Sequence, residues 1–272
     1  MTNDTTSHGK QGDACDLEVS RRLPHVAFDL ASRRLKGLKI ERLLGLTGQP
    51  KPLRVLEIGT GSGGIAHYFG THPHLNCEVD AVDVHDNRVV TEGYRYHQVQ
   101  GTQLPFADDS FDVVVTNHVI EHVGDKQAQC AHLSELHRVL RPDGVGYLAV
   151  PSRWMLVEPH YRLLLLSWLP QPVANAYVRL MGKGSYYDCR PLTTHRIESM
   201  LDAAGFTFVQ KHGEALLLTF ELERPDALIY RWILKRAPNA MYAAWRRAFP
   251  TLIYTLRLTP PVAGSRAVAD HA

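Results

Sequence analysis

The sequence has few cysteines and almost no excess of charge of either sign. Its four cysteines, Cys15, Cys77, Cys130 and Cys189, stand far apart without a CxxC pair. This spacing indicates neither a zinc site nor a disulfide framework, and it favours a reducing, cytoplasmic environment. Thirty Lys and Arg stand against 28 Asp and Glu, a net charge of +2. A protein that grips nucleic-acid phosphates usually carries a clustered positive surplus, so we expect no nucleic-acid partner.

The sequence also lacks long apolar runs. No window approaches the ~18 uninterrupted apolar residues that a membrane span requires, and the polar N-terminus has no apolar centre of a signal peptide. Residues 1–22 are rich in Thr, Asp, Gly and Ser, and we expect them to form a disordered tail. A second tail is expected at 259–272. The region between, 23–258, is long enough for one domain with insertions.

Apolar runs of strand length alternate with helical stretches through the first half of this domain. Strands are predicted at 54–58, 78–84, 96–99, 112–116 and 147–150. Alternation of this kind predicts βαβ units and a Rossmann-like, doubly wound α/β sheet that is mostly parallel. Residues 251–258 are predicted to add an antiparallel last strand beside a strand at 206–209. The stretches at about 152–190 and 213–248 break the rhythm, and we interpret them as helical cap insertions.

The segment with the clearest chemistry joins the first predicted strand to the next helix. Its residues 55–64 read VLEIGTGSGG. Glycines are needed where a backbone turns sharply and approaches a ligand closely. Gly59, Gly61 and Gly64 fit the GxGxxG spacing of a dinucleotide site, whereas Glu57, Gly59, Gly61 and Gly63 fit ExGxGxG. The loop alone leaves open a nucleotide-binding oxidoreductase and a protein that binds another nucleoside cofactor.

Two motifs further along the chain distinguish these alternatives. Residues 104–106 read LPF and residues 111–114 read FDVV. Together with the glycine loop, this ordered series resembles the class I methyltransferases that depend on S-adenosylmethionine (SAM), over residues 52–151. The resemblance implies that SAM is the cofactor and that the protein is an enzyme. A SAM-binding partner protein without catalysis remains an alternative.

The resemblance also implies a set of cofactor-binding residues. Asp83 ends the second strand, where a carboxylate can accept hydrogen bonds from both ribose hydroxyls. Thr102 stands where the family usually has an acid that contacts the adenine amino group, so that contact is altered here. Asn117 and His118 follow the fourth strand, at the mouth of the sheet. The full predicted set is Glu57, Gly59, Thr60, Gly61, Gly63, Asp83, Thr102, Gln103, Leu104, Asn117 and His118.

His118 and His122 are four residues apart, a spacing that zinc ligands on one helix face also have. The glutamate lies beside the second histidine, however, whereas the metalloprotease motif HExxH has it beside the first. We therefore predict no metal and expect His122 to be a structural histidine.

The acceptor is expected to be a hydroxyl of a glycan or of another small polyhydroxylated or lipid-linked molecule. An alcohol must lose its proton during transfer, and His118 is the first candidate for the base, with His160 as the second. Residues 158–161 (EPHY) and 185–188 (SYYD) combine rings with polar groups that suit such an acceptor. The stretch EPHYRLLLLSWLP resembles, less specifically, methyltransferases of bacterial surface-glycan assembly.

Two stretches mix apolar, aromatic and basic residues, at 163–169 and 228–249. Such segments either lie in a membrane interface or pack as an ordinary lid. The sequence leaves both alternatives open, together with the oligomeric state.

Overall fold

Nine strands build the sheets in the part of the chain that the structure describes. The computed structural model describes residues 29–48, 51–246 and 249–260. The predicted tail at 1–22 lies outside these residues, as does most of the tail at 259–272. The strands are β1 (Leu53–Ile58), β2 (Cys77–Asp83), β3 (Arg95–Gln98), β4 (Phe111–Asn117), β5 (Leu140–Pro151), β6 (Val157–Glu158), β7 (Leu163–Leu164), β8 (Phe206–Gln210) and β9 (Thr251–Leu258).

Seven of these strands form one sheet in the order β3-β2-β1-β4-β5-β9-β8. The neighbouring strands from β3 to β5 are paired in parallel, while β9 runs antiparallel to both β5 and β8. The predicted doubly wound sheet with an antiparallel last strand is thereby confirmed. The sheet reverses its strand order between β1 and β4, and ligands of open α/β sheets bind at such a point, outside the carboxyl ends of the strands.

Helices cover both faces of the sheet. They are α1 (Leu30–Leu44), α2 (Gly64–Thr71), α3 (Lys126–Val139), α4 (Gln171–Leu180), α5 (Thr194–Ala203), α6 (His212–Glu223), α7 (Leu228–Trp232) and α8 (Asn239–Ala244). Strand β1 shows why helices are needed on both faces of the sheet. Its side chains alternate between two apolar clusters, one on each face. Val55 packs with Ile40 of α1 and Phe69 of α2, whereas Leu56 packs with Leu133 of α3. A strand buried on both faces is apolar at nearly every position.

The ends of the helices follow local sequence signals. The Asp29 side chain accepts a hydrogen bond from the Ala31 backbone N–H at the start of α1. Asp125 does the same for Ala128 at the start of α3. Gly45 ends α1 in the left-handed conformation, with φ +65°. A short acidic side chain at the N-cap accepts hydrogen bonds from the free N–H groups of the first turn. A glycine just past the last helical residue lets the backbone satisfy the free carbonyl groups of the last turn.

The segment 152–190 folds into a unit with its own small core. It contains the hairpin β6–β7, a 3₁₀ turn (Leu166–Trp168) and α4. The sequence pattern gave no sign of this hairpin, since each of its strands is two residues long. Its core residues are Tyr161, Leu163, Leu166, Ala174, Val178, Tyr187 and Cys189.

The segment 213–248 is helical where the structure describes it. Helix α6 packs against α1, where the Lys39 ammonium donates to the Glu223 carboxylate at 2.8 Å. Helices α7 and α8 follow, joined by a 3₁₀ turn (Leu234–Arg236). Across the described residues, every helix is too short or too polar to cross a membrane.

Candidate active site

The glycine loop lies between β1 and α2 at the carboxyl edge of the sheet. Gly59 and Gly61 have φ values of +81° and +52°, a conformation that side chains with a Cβ rarely adopt. A Cβ on Gly59 would also lie 2.3 Å from the Val119 Cγ2 atom. The loop therefore needs glycine for its backbone path and for the close approach of the segment after β4.

Asp83 ends β2 directly beside this loop. Its Oδ2 atom accepts a hydrogen bond from the Gly61 backbone N–H at 2.8 Å, and its Oδ1 atom accepts one from the His85 N–H at 3.2 Å. An ionised carboxylate has about four lone-pair sites, so acceptor capacity remains for two ribose hydroxyls. Asp83 therefore has a structural task, holding the loop, that the sequence did not reveal.

Glu57 lies under the loop and is almost completely buried. Its Oε2 atom accepts a hydrogen bond from the Ala66 N–H in the first turn of α2, at 2.9 Å. Burial raises the pKa of this carboxyl to about 8, against the opposing effect of the Ala66 hydrogen bond. Glu57 thus fixes the start of α2 relative to β1.

A cavity of about 1070 Å³ opens above the loop and the carboxyl ends of β1, β2 and β4. Most of the predicted site residues line it, and Gly63 and Gln103 do not. Gly63 instead packs under Tyr94, whose hydroxyl would lie 2.2 Å from a Cβ there. The predicted residues that line the cavity are Glu57, Gly59, Thr60, Gly61, Asp83, Thr102, Leu104, Asn117, His118 and His160.

Three buried polar atoms of the cavity wall have no hydrogen-bond partner among the described residues. They are Ser62 Oγ, Asn117 Oδ1 and Arg33 Nε. Unsatisfied buried polar groups are rare in proteins, so a polar ligand is the expected partner. SAM fits this wall, because its charged methionine end offers both donors and acceptors and its ribose offers hydroxyls to Asp83.

The two basic residues of the wall, Arg33 and Lys36, come from α1 and were not predicted. Burial, together with the neighbouring Lys39 and Arg33, lowers the pKa of Lys36 to about 8. Two cations at one end of a cavity favour an anionic group there, such as the carboxylate of SAM. The sequence contained one signal, a pair of basic residues three apart and hence on one helix face.

His118 is held in an uncommon backbone conformation just past β4. Its φ is +60°, and its N–H donates to the Ala149 carbonyl at 2.9 Å. Its Nδ1 atom lies 3.3 Å from Oε1 of Glu121, which is fully buried. Burial disfavours the ionised form of Glu121, but contact with His118 and the nearby His122 outweighs burial and holds the pKa of Glu121 below its usual value.

His160 reaches the same cavity from the hairpin β6–β7. Its Nδ1 atom lies 2.8 Å from Oε1 of Glu158, whose side chain is fully buried. Burial opposes protonation of His160, yet the Glu158 carboxylate raises the pKa of the imidazole above its usual value. Two of the histidines that line the cavity, His118 and His160, therefore each lie beside a buried glutamate.

His122 does not share a helix face with His118. Residues 118–123 form turns, with the His122 N–H donating to the Val119 carbonyl at 2.8 Å. The fold instead places His122 beside His160 and Cys189. The Cys189 Sγ atom lies 3.8 Å from the Nδ1 atoms of both histidines.

The fold, the glycine loop and the acidic residue at the end of β2 together define the class I SAM-dependent methyltransferases. The chain belongs to the family described as "Methyltransferase domain", whose model matches residues 29–211. This membership confirms the resemblance seen in the sequence and makes SAM the cofactor of the site.

Two relatives illustrate the range of the family. An uncharacterized methyltransferase of Mycobacterium sp. (strain JLS) is 36% identical over 97 residues, which cover 35% of this chain and 37% of that protein. The chain thus matches little more than a third of the length of this relative. The ubiquinone/menaquinone biosynthesis C-methyltransferase UbiE of Idiomarina loihiensis is 26% identical over 202 residues, covering 66% of this chain and 77% of the relative.

Solved structures show the same fold at low sequence identity. One is a chain of the complex between the Haloferax volcanii Trm112 methyltransferase activator and a methyltransferase. It is 17% identical, with a TM-score of 0.51, and covers 86% of this chain and 99% of that chain. At this identity the likeness supports the fold alone.

Proposed function

We propose that the protein transfers a methyl group from SAM to a hydroxyl group of a small polyhydroxylated acceptor, such as a glycan or a lipid-linked sugar. One observation carries the choice of a hydroxyl. His118 and His160 border the cavity that holds the glycine loop and Asp83, and each lies within 3.3 Å of a buried glutamate. An alcohol needs a base for its proton, and a histidine oriented by a carboxylate supplies one.

His118 is the proposed base, with His160 as the second candidate. The sulfonium of bound SAM supplies the activated methyl group. The chain's part is to align the acceptor, exclude water and take up a proton. The acceptor oxygen forms a bond to the methyl carbon as the bond from sulfur to that carbon breaks. The hydroxyl proton passes to the imidazole of His118, whose positive charge the Glu121 carboxylate stabilises.

The cap contributes the acceptor side of the cavity. Pro159, His160 and Tyr186 line it, and Tyr186 is 38% exposed. Tyr161 and Tyr187 pack inside the cap core instead, and the Tyr161 hydroxyl donates to Asp188 Oδ1 at 2.9 Å. We propose Tyr186 as the ring against which a sugar packs, while Tyr161 and Tyr187 hold the cap together.

Methyl transfer to carbon is the second candidate reaction. The Idiomarina loihiensis relative is named as a C-methyltransferase, and its match covers 66% of this chain. Incubation with carbon-13-labelled SAM and a cell extract separated into lipid, glycan and small-molecule fractions distinguishes the two. We expect the label in a glycan or lipid-linked fraction, with the chemical shift of a methyl group on oxygen. A shift typical of methyl on carbon would overturn the hydroxyl assignment.

The His118→Ala variant tests the proposed base. We expect the single-turnover rate at saturating SAM to fall by about 10²- to 10⁴-fold, the usual contribution of a general base, with SAM affinity nearly unchanged. The matched comparison is His160→Ala, measured in the same way. A normal rate in His118→Ala with weakened SAM binding would instead show that His118 packs against the cofactor.

Peripheral contact with a membrane is part of the proposal for a lipid-linked acceptor. The cap exposes Leu156, Leu164 and Trp168 at 64%, 63% and 41% of their surface. The second insertion exposes Trp232 and Trp245 at 62% and 66%. Basic residues stand beside them, such as Arg236, which lies over the Trp232 ring at 4.6 Å. Aromatic and aliphatic groups flanked by cations suit an anionic membrane surface.

Sedimentation with lipid vesicles checks this contact. We expect binding to vesicles that contain anionic lipid and much less binding to neutral ones, because the cations add electrostatic attraction. Replacing Trp232 and Trp245 together by serine is expected to abolish binding to the vesicles. The buried Tyr230 is not replaced in this variant. Equal sedimentation of the double variant and the wild type would contradict membrane contact through the second insertion.

A further inference from the structure

Three side chains with metal-ligating atoms meet at the edge of the cavity, and the reaction described above does not need all of them. They are His122 from the turn after β4, His160 from the β6–β7 hairpin and Cys189 from the end of the cap. One ligating atom of each lies within 4.8 Å of those of the other two. We propose that these three residues bind a divalent metal ion and that zinc is the ion they suit best.

The chemistry of the three ligands selects the metal. Imidazole nitrogen with thiolate sulfur is a donor set typical of zinc, whereas magnesium and calcium prefer oxygen. Bond lengths of about 2.0 Å to nitrogen and about 2.3 Å to sulfur in a tetrahedron place sulfur about 3.5 Å from each nitrogen. The Cys189 Sγ atom lies 3.8 Å from His122 Nδ1, and one ligating atom of His160 lies within 4.8 Å of those of the other two residues. Small side-chain movements would therefore complete the site.

A buried carboxylate lies near each of the two histidines, as is common at zinc sites. Glu158 Oε1 lies 2.8 Å from His160 Nδ1, so Nε2 is the atom of that ring that would bind the metal. Glu121 Oε1 lies 3.9 Å from His122 Nε2, so Nδ1 is the atom of that ring that would bind it. A metal-bound histidine usually donates its other N–H to a carboxylate, and the hydrogen bond between His160 and Glu158 has this arrangement, whereas Glu121 lies near His122 without a hydrogen bond.

The local charge also favours a cation. Both glutamate side chains are fully buried, and Asp188 Oδ1 lies 3.5 Å from Cys189 Sγ. Neither carboxylate oxygen of Glu121 has a hydrogen-bond partner of normal geometry among the described residues. Buried negative charge is costly unless it is paired, and a divalent ion in the cluster would compensate it.

The site has three protein ligands and borders the cavity through His122 and His160. Zinc sites with three protein ligands keep a fourth position for water or substrate. If the proposed transfer to a hydroxyl is right, on which this role rests, the fourth ligand is the acceptor oxygen. The metal would then favour loss of the hydroxyl proton to His118. His160 would be a ligand, so His118 alone would serve as base.

Zinc titration of the full chain tests the site without any methyl transfer. Untagged protein stripped of metal with a chelator is titrated with zinc chloride in a calorimeter, in the absence of SAM. We expect one zinc per chain, and at least a 100-fold weaker binding in His122→Ala and in Cys189→Ser. The matched control is Cys130→Ser, which replaces an exposed cysteine of α3 and should leave zinc binding unchanged. The SAM-induced thermal shift reports whether each variant is folded.

The Glu158→Gln variant adds a conservative test that keeps all three ligands. Loss of the carboxylate that orients His160 is expected to weaken zinc binding by about 10- to 100-fold. Cobalt chloride should give a thiolate-to-metal absorption band in the wild type and none in Cys189→Ser. The proposal would be overturned if the wild type did not bind zinc. It would also be overturned if Cys189→Ser and His122→Ala bound zinc as tightly as the wild type. Zinc binding without any methyl transfer would overturn the proposed function and leave the metal site intact.

Discussion

At the scale of single residues, two carboxylates of the cavity wall hold the glycine loop and the helix after it in place. Asp83 holds the Gly61 N–H and still has lone pairs for a ligand. Glu57 ties α2 to β1 from beneath the loop. Burial and hydrogen bonding fix these carboxylates before any ligand arrives, and a binding site that is already ordered avoids much of the entropy cost of binding.

Gly61→Val is expected to abolish SAM binding while the protein stays folded. The branched side chain would stand at the cavity wall, in a backbone conformation with φ +52° that valine resists. Isothermal calorimetry with SAM measures the loss, and thermal unfolding checks the fold.

Gly45→Val is the matched control for this variant. Gly45 has φ +65° and nothing within 4 Å of an added Cβ, at the far end of α1. It therefore carries a similar backbone strain without touching the cavity. SAM affinity equal to that of the wild type in both variants would remove Gly61 from the cofactor site.

At the scale of elements, α1 and α2 pack closely through a glycine. A Cβ on Gly37 of α1 would lie 2.5 Å from the Cγ atom of Tyr68 in α2. Tyr68 cannot easily move aside, because it is buried and its hydroxyl donates to Glu41. The close approach brings α1, with its Arg33 and Lys36, to the cavity.

The Gly37→Ala variant tests whether the gain in helix propensity or the cost of overpacking has the larger effect on the free energy of unfolding. Alanine gains about 1 kcal/mol in a helix interior, whereas overpacking a filled contact costs about 1 to 3 kcal/mol. Because Tyr68 is buried and hydrogen-bonded to Glu41, we expect the cost of overpacking to exceed the gain, with a net loss of up to about 2 kcal/mol in the free energy of urea unfolding. Arg34→Ala, at an exposed position of the same helix, should change stability little. A gain near 1 kcal/mol in Gly37→Ala would show that α1 can shift away from α2.

At the scale of the whole molecule, two buried histidines link stability to pH. Burial lowers the pKa of His132 and of His212 to about 4, from an ordinary value of 6.5. His212 Nδ1 accepts a hydrogen bond from the Ile253 N–H at 2.9 Å, which requires an unprotonated nitrogen. The folded state therefore binds fewer protons than the unfolded chain between these pH values.

The free energy of unfolding should fall as the pH is lowered from about 6.5 to 4. Each histidine contributes up to about 3 kcal/mol over this range, since one pKa unit is about 1.4 kcal/mol. Urea unfolding of His212→Gln should show a smaller slope with pH than the wild type. His74→Gln, at an exposed histidine, should keep the wild-type slope. Parallel pH profiles for wild type and His212→Gln would contradict a neutral buried His212.

Much of the architecture follows from short-range patterns in the chain. The alternation of apolar runs with helical periods fixes a doubly wound sheet, because each pattern states which face of its element must be buried. The glycine loop and Asp83 lie at strand ends, and parallel strands bring their carboxyl ends to one edge. Most of the residues predicted to bind the cofactor therefore line one cavity, although Gly63 and Gln103 lie outside its wall and Arg33 and Lys36 join it; their roles in binding stay a prediction.

The proposed acceptor side of the cavity depended on the tertiary structure. His122 and Cys189 are 67 residues apart, and His160 lies on a hairpin whose two-residue strands leave no periodic signal. Periodicity reports the buried face of an element and says nothing about which distant loops meet across a cavity. The sequence by itself determined the sheet, the glycine loop and the methyltransferase family. Only the folding of the cap over the carboxyl edge brought two histidines, a cysteine and their buried glutamates together.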